Sequence, residues 1–388
     1  MVDECSSVAL LGATGSIGTQ TLEVLEREPE RFTLASVAAG ARLDELASIV
    51  RKWKVPLVSV RNNEDRATLQ AMVPQGTEIV VGDDGLRMLA QSADIVVNAV
   101  VGFAGLPVTL SALEAGKRLA LANKESFIAA APLVNAVRST PGAELVPIDS
   151  EHCAIHQCLT SSPASNGYPD VRRLLITASG GPFRGWSVDQ LRSVTKAQAL
   201  AHPTWSMGAK ITIDSSTLMN KGLEVLEASG LFAISVDRID VVVHPQSVVH
   251  SMVEYVDGSV LAQLSLPDMR LPIAYCLGLP QRLDHAWGAI DFSKNLALTF
   301  EAPDRNAFRA LDLAYEAARR GGGAPATLSA ANEVAVEAFL SDNIAWHEIT
   351  PLVASVMDTY EDHLISTVDD VLEADRVARE IAHATLQR

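Results

Sequence analysis

The 388-residue sequence predicts an α/β chain in three parts: a doubly wound parallel-sheet domain, a central α+β domain and a C-terminal helical bundle. Three observations predict it. Over the first 150 residues short β-rich runs alternate with helical patterns, the texture of a parallel sheet with helices on both faces. From about residue 151 strand-like runs crowd together, with Asp257-Gly258 as a hairpin turn between two of them. From about residue 304 apolar side chains recur at helical spacing.

In the first part the strand candidates are SVALLG, FTLASVA, LVSV, TEIVVG, ADIVVNAV, RLALAN and ELVPID. LLGATGSIG places Gly12, Gly15 and Gly18 at the first strand-to-helix turn, before the helical stretch SIGTQTLEVLER. Glycines let a backbone approach a pyrophosphate, and the following helix offers unpaired N–H groups to the anion. A ligand-free tight turn is the bland alternative. With the strand before and the helix after, a Rossmann-like dinucleotide-binding domain is favoured. An NAD site carries an acid about 20 residues on for the ribose 2′-hydroxyl. Ser36 to Arg42 contain none, and Arg42 stands near where a 2′-phosphate would sit, which favours NADP(H) over a surface arginine without a task. Residues 95–113 are uncharged and approach membrane-spanning length. Asn98, two glycines and Pro107 interrupt them, so they read as strand, glycine turn and a helix from about Pro107.

The central strands are LLITASG, KITIDS, DVVVH, SVVHSMVEYV and SVLAQLS, expected as an antiparallel sheet. Residues 279–300 are irregular and read as a linker. In the tail, Phe308, Leu311 and Tyr315, then Leu328, Ala331, Ala335 and Ala338, mark helical faces. Thr350 reads as an N-cap before Pro351, and Ser366 with Asp369 as a capping box. The expected division is 1–149, 150–278, a linker over 279–303, and 304–388.

Hydrophobic residues make up 48%, enough for several cores. A formal charge of −16 and a pI near 5.0 exclude nucleic acid and anionic membranes as partners, so an anionic substrate needs a local cluster of donors. Cys5, Cys153, Cys158 and Cys276 are too few for a disulfide framework, and a reducing cytoplasm is expected. Asp3 and Glu4 precede any apolar run, unlike a signal peptide.

Four stretches and two strand histidines carry candidate chemistry. In LVPIDSEHCAIHQC, Asp149 and Glu151 flank Ser150 at a strand end and could hold a divalent cation. Ser150 could equally cap a helix with Glu151 in its first turn. His152, Cys153, His156 and Cys158 suggest zinc, but on a helix the two cysteines cannot converge with both histidines, and zinc is set aside. In ITIDSSTLMNKGLEVLEASG, a strand is expected to end at Asp214, with Ser215 or Ser216 capping a helix that carries Asn220, Lys221 and Glu224 on one face. A solvated Lys221–Glu224 pair is the alternative, while Gly222 in those first turns hints at close approach by a ligand. An all-oxygen ligand set suits Mg²⁺ or Mn²⁺. Ser179-Gly180-Gly181 after a strand suits a phosphate or a plain glycine turn, and Ser215, Asn220 and Lys221 add donors. In AHPTWSMGAK, Trp205 reads either as part of a lid or as a core anchor. His244 and His250, lone strand histidines, start as structural.

GATGSIG, LANKES, PIDSEHCAIHQ, TASGGPF, HPTWSMGAKITIDSSTLMNKGLE, HPQSVVHSMVEYVDGSVLAQLSLPDMR and SAANEVAV, in this order, resemble the 1-deoxy-D-xylulose 5-phosphate reductoisomerase family from Gly12 to about Val336. The resemblance implies an NADPH-dependent enzyme making 2-C-methyl-D-erythritol 4-phosphate for isoprenoid synthesis. It implies a cation, Mg²⁺ or Mn²⁺, on Asp149, Glu151 and Glu224. A substrate phosphate falls to Ser179, Ser215, Asn220 and Lys221, with His202 close to substrate and Trp205 and Met207 on a lid. Lys124 and Glu151 stand at the reacting oxygens, Ser150 against the substrate backbone and His250 near the reacting end; Lys124, Glu151, His202 and His250 are the implied catalytic set. The cofactor is implied on Gly12, Ala13, Thr14, Gly15, Ser16, Ile17, Gly40, Ala41, Arg42, Asn123, Glu125 and Gly208. The family pattern also implies a homodimer formed through the central domain. Ala13 stands where serine is more usual, Ser216 and Leu218 where Ala and Met are common, and Ser329 where Asn is usual. A plain NADP-dependent dehydrogenase would leave the three carboxylates without a task, and a non-catalytic NADP-binding regulator would need neither cation nor phosphate donors.

Overall fold

The computed structural model describes residues 5–160, 168–205 and 207–387. Asp3 and Glu4, on which the N-terminal reading rests, and Ser206 of the tryptophan loop lie outside them. The chain divides into two units: Met1–Phe127 with Val134–Cys153 and Asp268–Gly288, and Ile128–Leu133 with Ala154–Pro267 and Ala289–Arg388.

The first unit alternates β1 (Ser6–Leu11), α1 (Ser16–Arg27), β2 (Phe32–Ala38), α2 (Leu43–Trp53), β3 (Leu57–Val60), α3 (Asn63–Gln70), β4 (Glu78–Val81), α4 (Gly82–Gln91), β5 (Ile95–Asn98), α5 (Leu106–Glu114), β6 (Arg118–Leu121), most of α6 (Lys124–Val137), β7 (Glu144–Pro147) and the first turn of α7 (Ser150–Leu159). The strands form one parallel sheet ordered β4-β3-β2-β1-β5-β6-β7. Val8 to Leu11 are wholly buried, the unbroken apolar run that a strand covered on both faces requires. Strand order reverses between β1 and β5, and Gly12 follows β1 at that switch point, where such sheets bind ligands. The uncharged stretch 95–113 is β5, a 3₁₀ turn and α5, with Pro107 in the first turn of α5. Among the described residues no helix is long and apolar enough to cross a membrane.

The second unit holds β8 (Val171–Ala178), α8 (Val188–Leu191), α9 (Lys196–Ala199), α10 (Ala209–Thr217), α11 (Met219–Phe232), β9 (Ile239–Val243), β10 (Val249–Tyr255) and β11 (Val260–Leu264). Its sheet runs β11-β10-β8-β9. β10 is antiparallel to β8 and β11, but β8 and β9 are parallel, so the sheet is mixed rather than antiparallel throughout. The helices between β8 and β9 supply the long crossover that a parallel pair needs. Asp257-Gly258 makes the β10–β11 turn, with Gly258 at φ 87°.

KITIDS is not a strand. Its β-branched residues mimic one, yet α10 covers them from the cap residue Gly208 onward and buries Thr212, Ile213, Ser216 and Thr217 on one helical side. Tertiary burial outweighs a propensity difference of less than about 1 kcal/mol per residue. α10 then breaks at Leu218 (φ 62°), a left-handed conformation costing a non-glycine roughly 1 kcal/mol, and α11 starts at the next residue. Gly222 also has a different reason from the expected one. A Cβ there would stand 2.7 Å from the Ala314 Cβ, so the glycine serves helix packing and not a ligand.

Next come α12 (Arg270–Gly278), α13 (Ala310–Arg320), α14 (Ala324–Leu340), α15 (Ile349–Thr359) and α16 (Val368–Leu386). α12 belongs to the first unit, because Ile273, Ala274, Cys276 and Leu277 bury themselves in its core with Val146 and Ile148. Residues between α12 and α13 form no helix longer than a turn, and α13–α16 share one apolar core with α10 and α11. Two expected caps shift by a residue or more. α15 begins at Ile349, after a 3₁₀ turn in which Glu348 accepts the Ala345 N–H, so Thr350 is inside the helix. The capping box of α16 is Thr367 with Asp370, one residue beyond the expected pair.

Candidate active site

In the first unit the glycine turn is built by contacts no side chain could share. Gly12 sits at φ 90°, and a Cβ on it would lie 2.3 Å from the Ala99 carbonyl oxygen. A Cβ on Gly18 would lie 2.3 Å from the Gly12 oxygen. The Gly12 and Ala13 N–H groups each donate to Ala38 O at 2.9 Å, and Gly15 N–H to Gly12 O at 3.0 Å. α1 opens with no side-chain cap. Its first amides, at Ser16 and Ile17, are therefore of the kind that takes a phosphate, and the cradle fits a pyrophosphate. Arg42, itself left-handed at φ 57°, caps α2 and donates from Nη2 to Thr14 O. That bond ties the Gly40–Arg42 turn to the glycine loop. Arg42 also pairs with Glu45 at 3.3 Å, an exposed contact of little energy. Asn123 lashes down the turn after β5 by donating to Val100 O at 2.6 Å and Gly102 O at 2.9 Å, and Glu125 stands in the first turn of α6.

At the end of β7, Asp149 and not Ser150 caps α7, accepting the Glu151 N–H at 3.1 Å and the His152 N–H at 3.4 Å. Ser150 Oγ donates to Glu151 Oε2 at 2.6 Å. Lys124 Nζ lies 2.9 Å from Asp149 Oδ2, which brings together an acid and a base 25 positions apart in sequence. Cys153 and Cys158 are buried thiols, and burial pushes Cys158 up to about 11, which opposes the thiolate zinc would need.

In the second unit α11 gathers three candidates on its first turns. Lys221 Nζ donates to Glu224 Oε2 at 2.6 Å, and Asn220 donates to Glu224 Oε1. The pair is not solvated: the Lys221 side chain is 8% exposed and Glu224 1%. The Ser179-Gly180-Gly181 turn after β8 lies against the end of α10, where a Cβ on Gly181 would approach Ser215 O to 2.6 Å. Ser179 Oγ accepts the Gly181 N–H at 3.2 Å and meets His202 Nε2 at 3.1 Å. The phosphate candidates Ser179, Ser215, Asn220 and Lys221 thus come from one turn and one helical elbow. Trp205 meets the buried His250 edge-on, ring centroids 6.3 Å apart; Met207 follows in the same loop and Gly208 at the N-terminus of α10. His244 is structural: its Nδ1 bonds Thr299 O at 2.8 Å and its ring stacks on Phe300.

His202 has its tautomer set by the loop. Nδ1 accepts the Thr204 N–H at 3.1 Å and the Trp205 N–H at 2.9 Å, which leaves the proton on Nε2, facing Ser179. Burial, with the Lys221 charge second, holds this imidazole below its ordinary 6.5. The unfolded chain then binds the proton more readily, so this group's contribution to stability is complete above about pH 6.5 and is lost as pH falls towards the folded value. The ligand-free protein should show a His202 NMR titration midpoint under 6.5. A midpoint at or above 6.5 would contradict the buried, amide-capped state.

Sequence reasoning missed the buried polar groups behind this elbow. Asn332 Nδ2 donates to Asp214 Oδ1 at 2.7 Å, Lys210 pairs with Asp214 at 2.9 Å, and Trp346 Nε1 donates to Ser216 Oγ at 2.8 Å. Asn332 and Trp346 reach α10 from 118 and 130 positions away, and of these two only Asn332 had a sequence trace, inside SAANEVAV.

Three family models cover the chain in order: 1-deoxy-D-xylulose 5-phosphate reductoisomerase over residues 8–131, its C-terminal domain over 145–232, and the DXP reductoisomerase C-terminal domain over 264–381. The 1-deoxy-D-xylulose 5-phosphate reductoisomerase of Xanthomonas axonopodis pv. citri is 49% identical over 388 residues, spanning 98% of this chain and 96% of its own. This chain belongs to the 1-deoxy-D-xylulose 5-phosphate reductoisomerase family. The reductoisomerase of Thermosynechococcus vestitus is 46% identical, with 98% of this chain and 92% of the relative covered. Among solved reductoisomerases, that of Zymomonas mobilis in complex with NADPH has a TM-score of 0.93 at 41% identity, covering 99% of this chain and 100% of that one. A second, in complex with NADPH, fosmidomycin and magnesium, has a TM-score of 0.90 at 40% identity, covering 98% of each.

Proposed function

We propose that this chain rearranges 1-deoxy-D-xylulose 5-phosphate and reduces the resulting branched aldehyde to 2-C-methyl-D-erythritol 4-phosphate, using NADPH and Mg²⁺ or Mn²⁺. The near-full-length identity to reductoisomerases carries this reading. The glycine cradle suits the cofactor's pyrophosphate, and the all-carboxylate set Asp149, Glu151 and Glu224 suits a hard divalent cation.

When bound, the cation polarises the substrate carbonyl and NADPH supplies the hydride. The rest falls to the chain. Lys124, held beside Asp149, donates to the same substrate oxygens, and Ser150 and Glu151 orient the carbon backbone. Ser179, Ser215, Asn220 and Lys221 grip the phosphate, remote from the reacting carbons, so that binding energy fixes orientation. His202 adds its Nε2–H to that grip. Trp205 and Met207 close over the substrate and exclude water, with His250 at the reacting end. The enzyme works as a cytoplasmic homodimer.

Mixing the protein with 1-deoxy-D-xylulose 5-phosphate, Mn²⁺ and NADPH and following the absorbance of reduced cofactor tests the proposal. Consumption that EDTA abolishes is expected. No consumption with or without metal overturns it, and consumption that ignores EDTA favours a plain dehydrogenase. For the cofactor's 2′-phosphate, Arg42→Ala should weaken NADPH about ten-fold, the size of one charge-assisted hydrogen bond, while NADH binding holds. Equal weakening of both, read by fluorescence titration, would remove Arg42 from the site.

A further inference from the structure

The phosphate-binding candidates stand on a backbone that would not hold its shape unaided. α10 and α11 meet at Leu218, a non-glycine residue at φ 62° and ψ 10°. The elbow turns the first turn of α11, with Asn220 and Lys221, next to the last turn of α10, with Ser215. Local bonds close it. The Met219 N–H donates to Thr217 Oγ1 at 3.3 Å, Thr217 Oγ1 donates to Asp214 O at 3.1 Å, and the Leu218 N–H donates to Ser215 O at 3.2 Å. These bonds fix the elbow relative to α10, not α10 relative to the rest of the unit.

Apolar packing seats α10 among the C-terminal helices, and two polar bonds from that region give it direction. Asn332, wholly buried in α14, donates to Asp214 Oδ1 at 2.7 Å, on a carboxylate only 1% exposed. Trp346, in the turn before α15, donates from Nε1 to Ser216 Oγ at 2.8 Å, and Ser216 Oγ donates on to Ile213 O at 2.7 Å. They land two residues apart, within the last turn and a half of α10 and within four residues of the elbow. Asp214 carries a charge that Lys210 balances at 2.9 Å from the helix's own previous turn. A buried carboxylate with a paired charge does not need an amide from another helix for neutrality. The Asn332 bond adds direction: it sets where the final turn of α10 points.

We infer that Asn332 and Trp346 are positioning residues for substrate binding, a clamp by which the C-terminal helices hold Ser215, Asn220 and Lys221 in phosphate-binding register. The inference rests on the proposed reductoisomerase reading. Partners that orient metal ligands carry effects of roughly 10–100-fold when removed, and positioning a phosphate grip follows the same logic. The clamp holds the C-terminal end of α10, whereas the glycine cradle belongs to the other unit and Gly208 to the opposite end of the helix, so its loss should spare the cofactor.

The test uses the full chain with Asn332→Leu, which keeps volume and removes the donor, and Trp346→Phe, which keeps the ring and removes the N–H. Calorimetry reads 1-deoxy-D-xylulose 5-phosphate binding without NADPH, fluorescence reads NADPH, and steady-state kinetics separate KM from kcat. Asn332→Leu should weaken substrate about ten-fold and raise KM in step, with NADPH affinity unchanged. Trp346→Phe should do the same about three-fold, and carries the test alone if Asn332→Leu does not fold. Asp214→Asn, which still offers Asn332 an oxygen, should recover substrate affinity to within about two-fold of wild type. Unchanged substrate affinity in a folded variant overturns the clamp, as does parallel loss of substrate and NADPH binding, the mark of general destabilisation. Failure of the wild type itself to bind 1-deoxy-D-xylulose 5-phosphate would instead overturn the proposed function.

Discussion

Glu224→Gln should lower turnover by about 10³-fold while leaving NADPH affinity unchanged. Removing a carboxylate from a hard-cation site forfeits several kcal/mol of transition-state charge stabilisation, and roughly 4 kcal/mol corresponds to 10³-fold. Glutamine fits the same space, since its oxygen can still accept from Asn220. Its amide N–H₂ cannot replace the oxygen that Lys221 Nζ approaches at 2.6 Å. The variant therefore leaves a buried ammonium facing a donor, and breaking a buried pair costs about 3–5 kcal/mol. Two measurements separate the consequences. Lost metal affinity, read by Mn²⁺ electron paramagnetic resonance, reports the ligand; a lowered denaturation midpoint reports the broken Lys221–Glu224 pair. Normal turnover with normal Mn²⁺ binding would remove Glu224 from the metal set.

The same residue shows how far the sequence reaches. Asn220, Lys221 and Glu224 were legible as one helical face because their spacing is local, and the structure joins all three. The seven parallel strands were legible because a strand buried on both faces leaves an unbroken apolar run, as in Val8 to Leu11. α10 was not, because Ile211, Thr212 and Ile213 carry the β-branched signature of a strand and only tertiary burial decides otherwise. Gly222 misled for a related reason. A glycine in a first helical turn records a close approach without saying whether a ligand or another helix makes it, and Ala314 lies 92 positions downstream. The clamp of Asn332 on Asp214 and of Trp346 on Ser216 was invisible, since contacts over 118 and 130 positions leave no period in the sequence. Motif order pointed to a task for Lys124 that local pattern could not suggest, and the structure sets Lys124 2.9 Å from Asp149.

Gly12→Ala should abolish measurable NADPH binding, a loss of 100-fold or more, and with it all turnover. Two independent penalties coincide. At φ 90° an alanine pays for a backbone region that L-residues avoid, about 1–3 kcal/mol. Its methyl would also sit 2.3 Å from the Ala99 carbonyl oxygen, a backbone atom that no side-chain rotation can move aside. The loop must therefore shift away from β5, breaking the bonds of Gly12 and Ala13 to Ala38 O that aim the cradle at the helix N-terminus. Gly76→Ala is the control. Gly76 shares the positive φ, at 96°, but a Cβ there has nothing within 4 Å, and the residue stands outside the cofactor set. Its NADPH affinity should stay within about two-fold of wild type. Fluorescence titration of both variants decides the matter: NADPH binding by Gly12→Ala at near wild-type affinity would mean that the cradle does not hold the pyrophosphate. Equal damage from both would trace the effect to the loops' general intolerance, not to the close approach at Gly12.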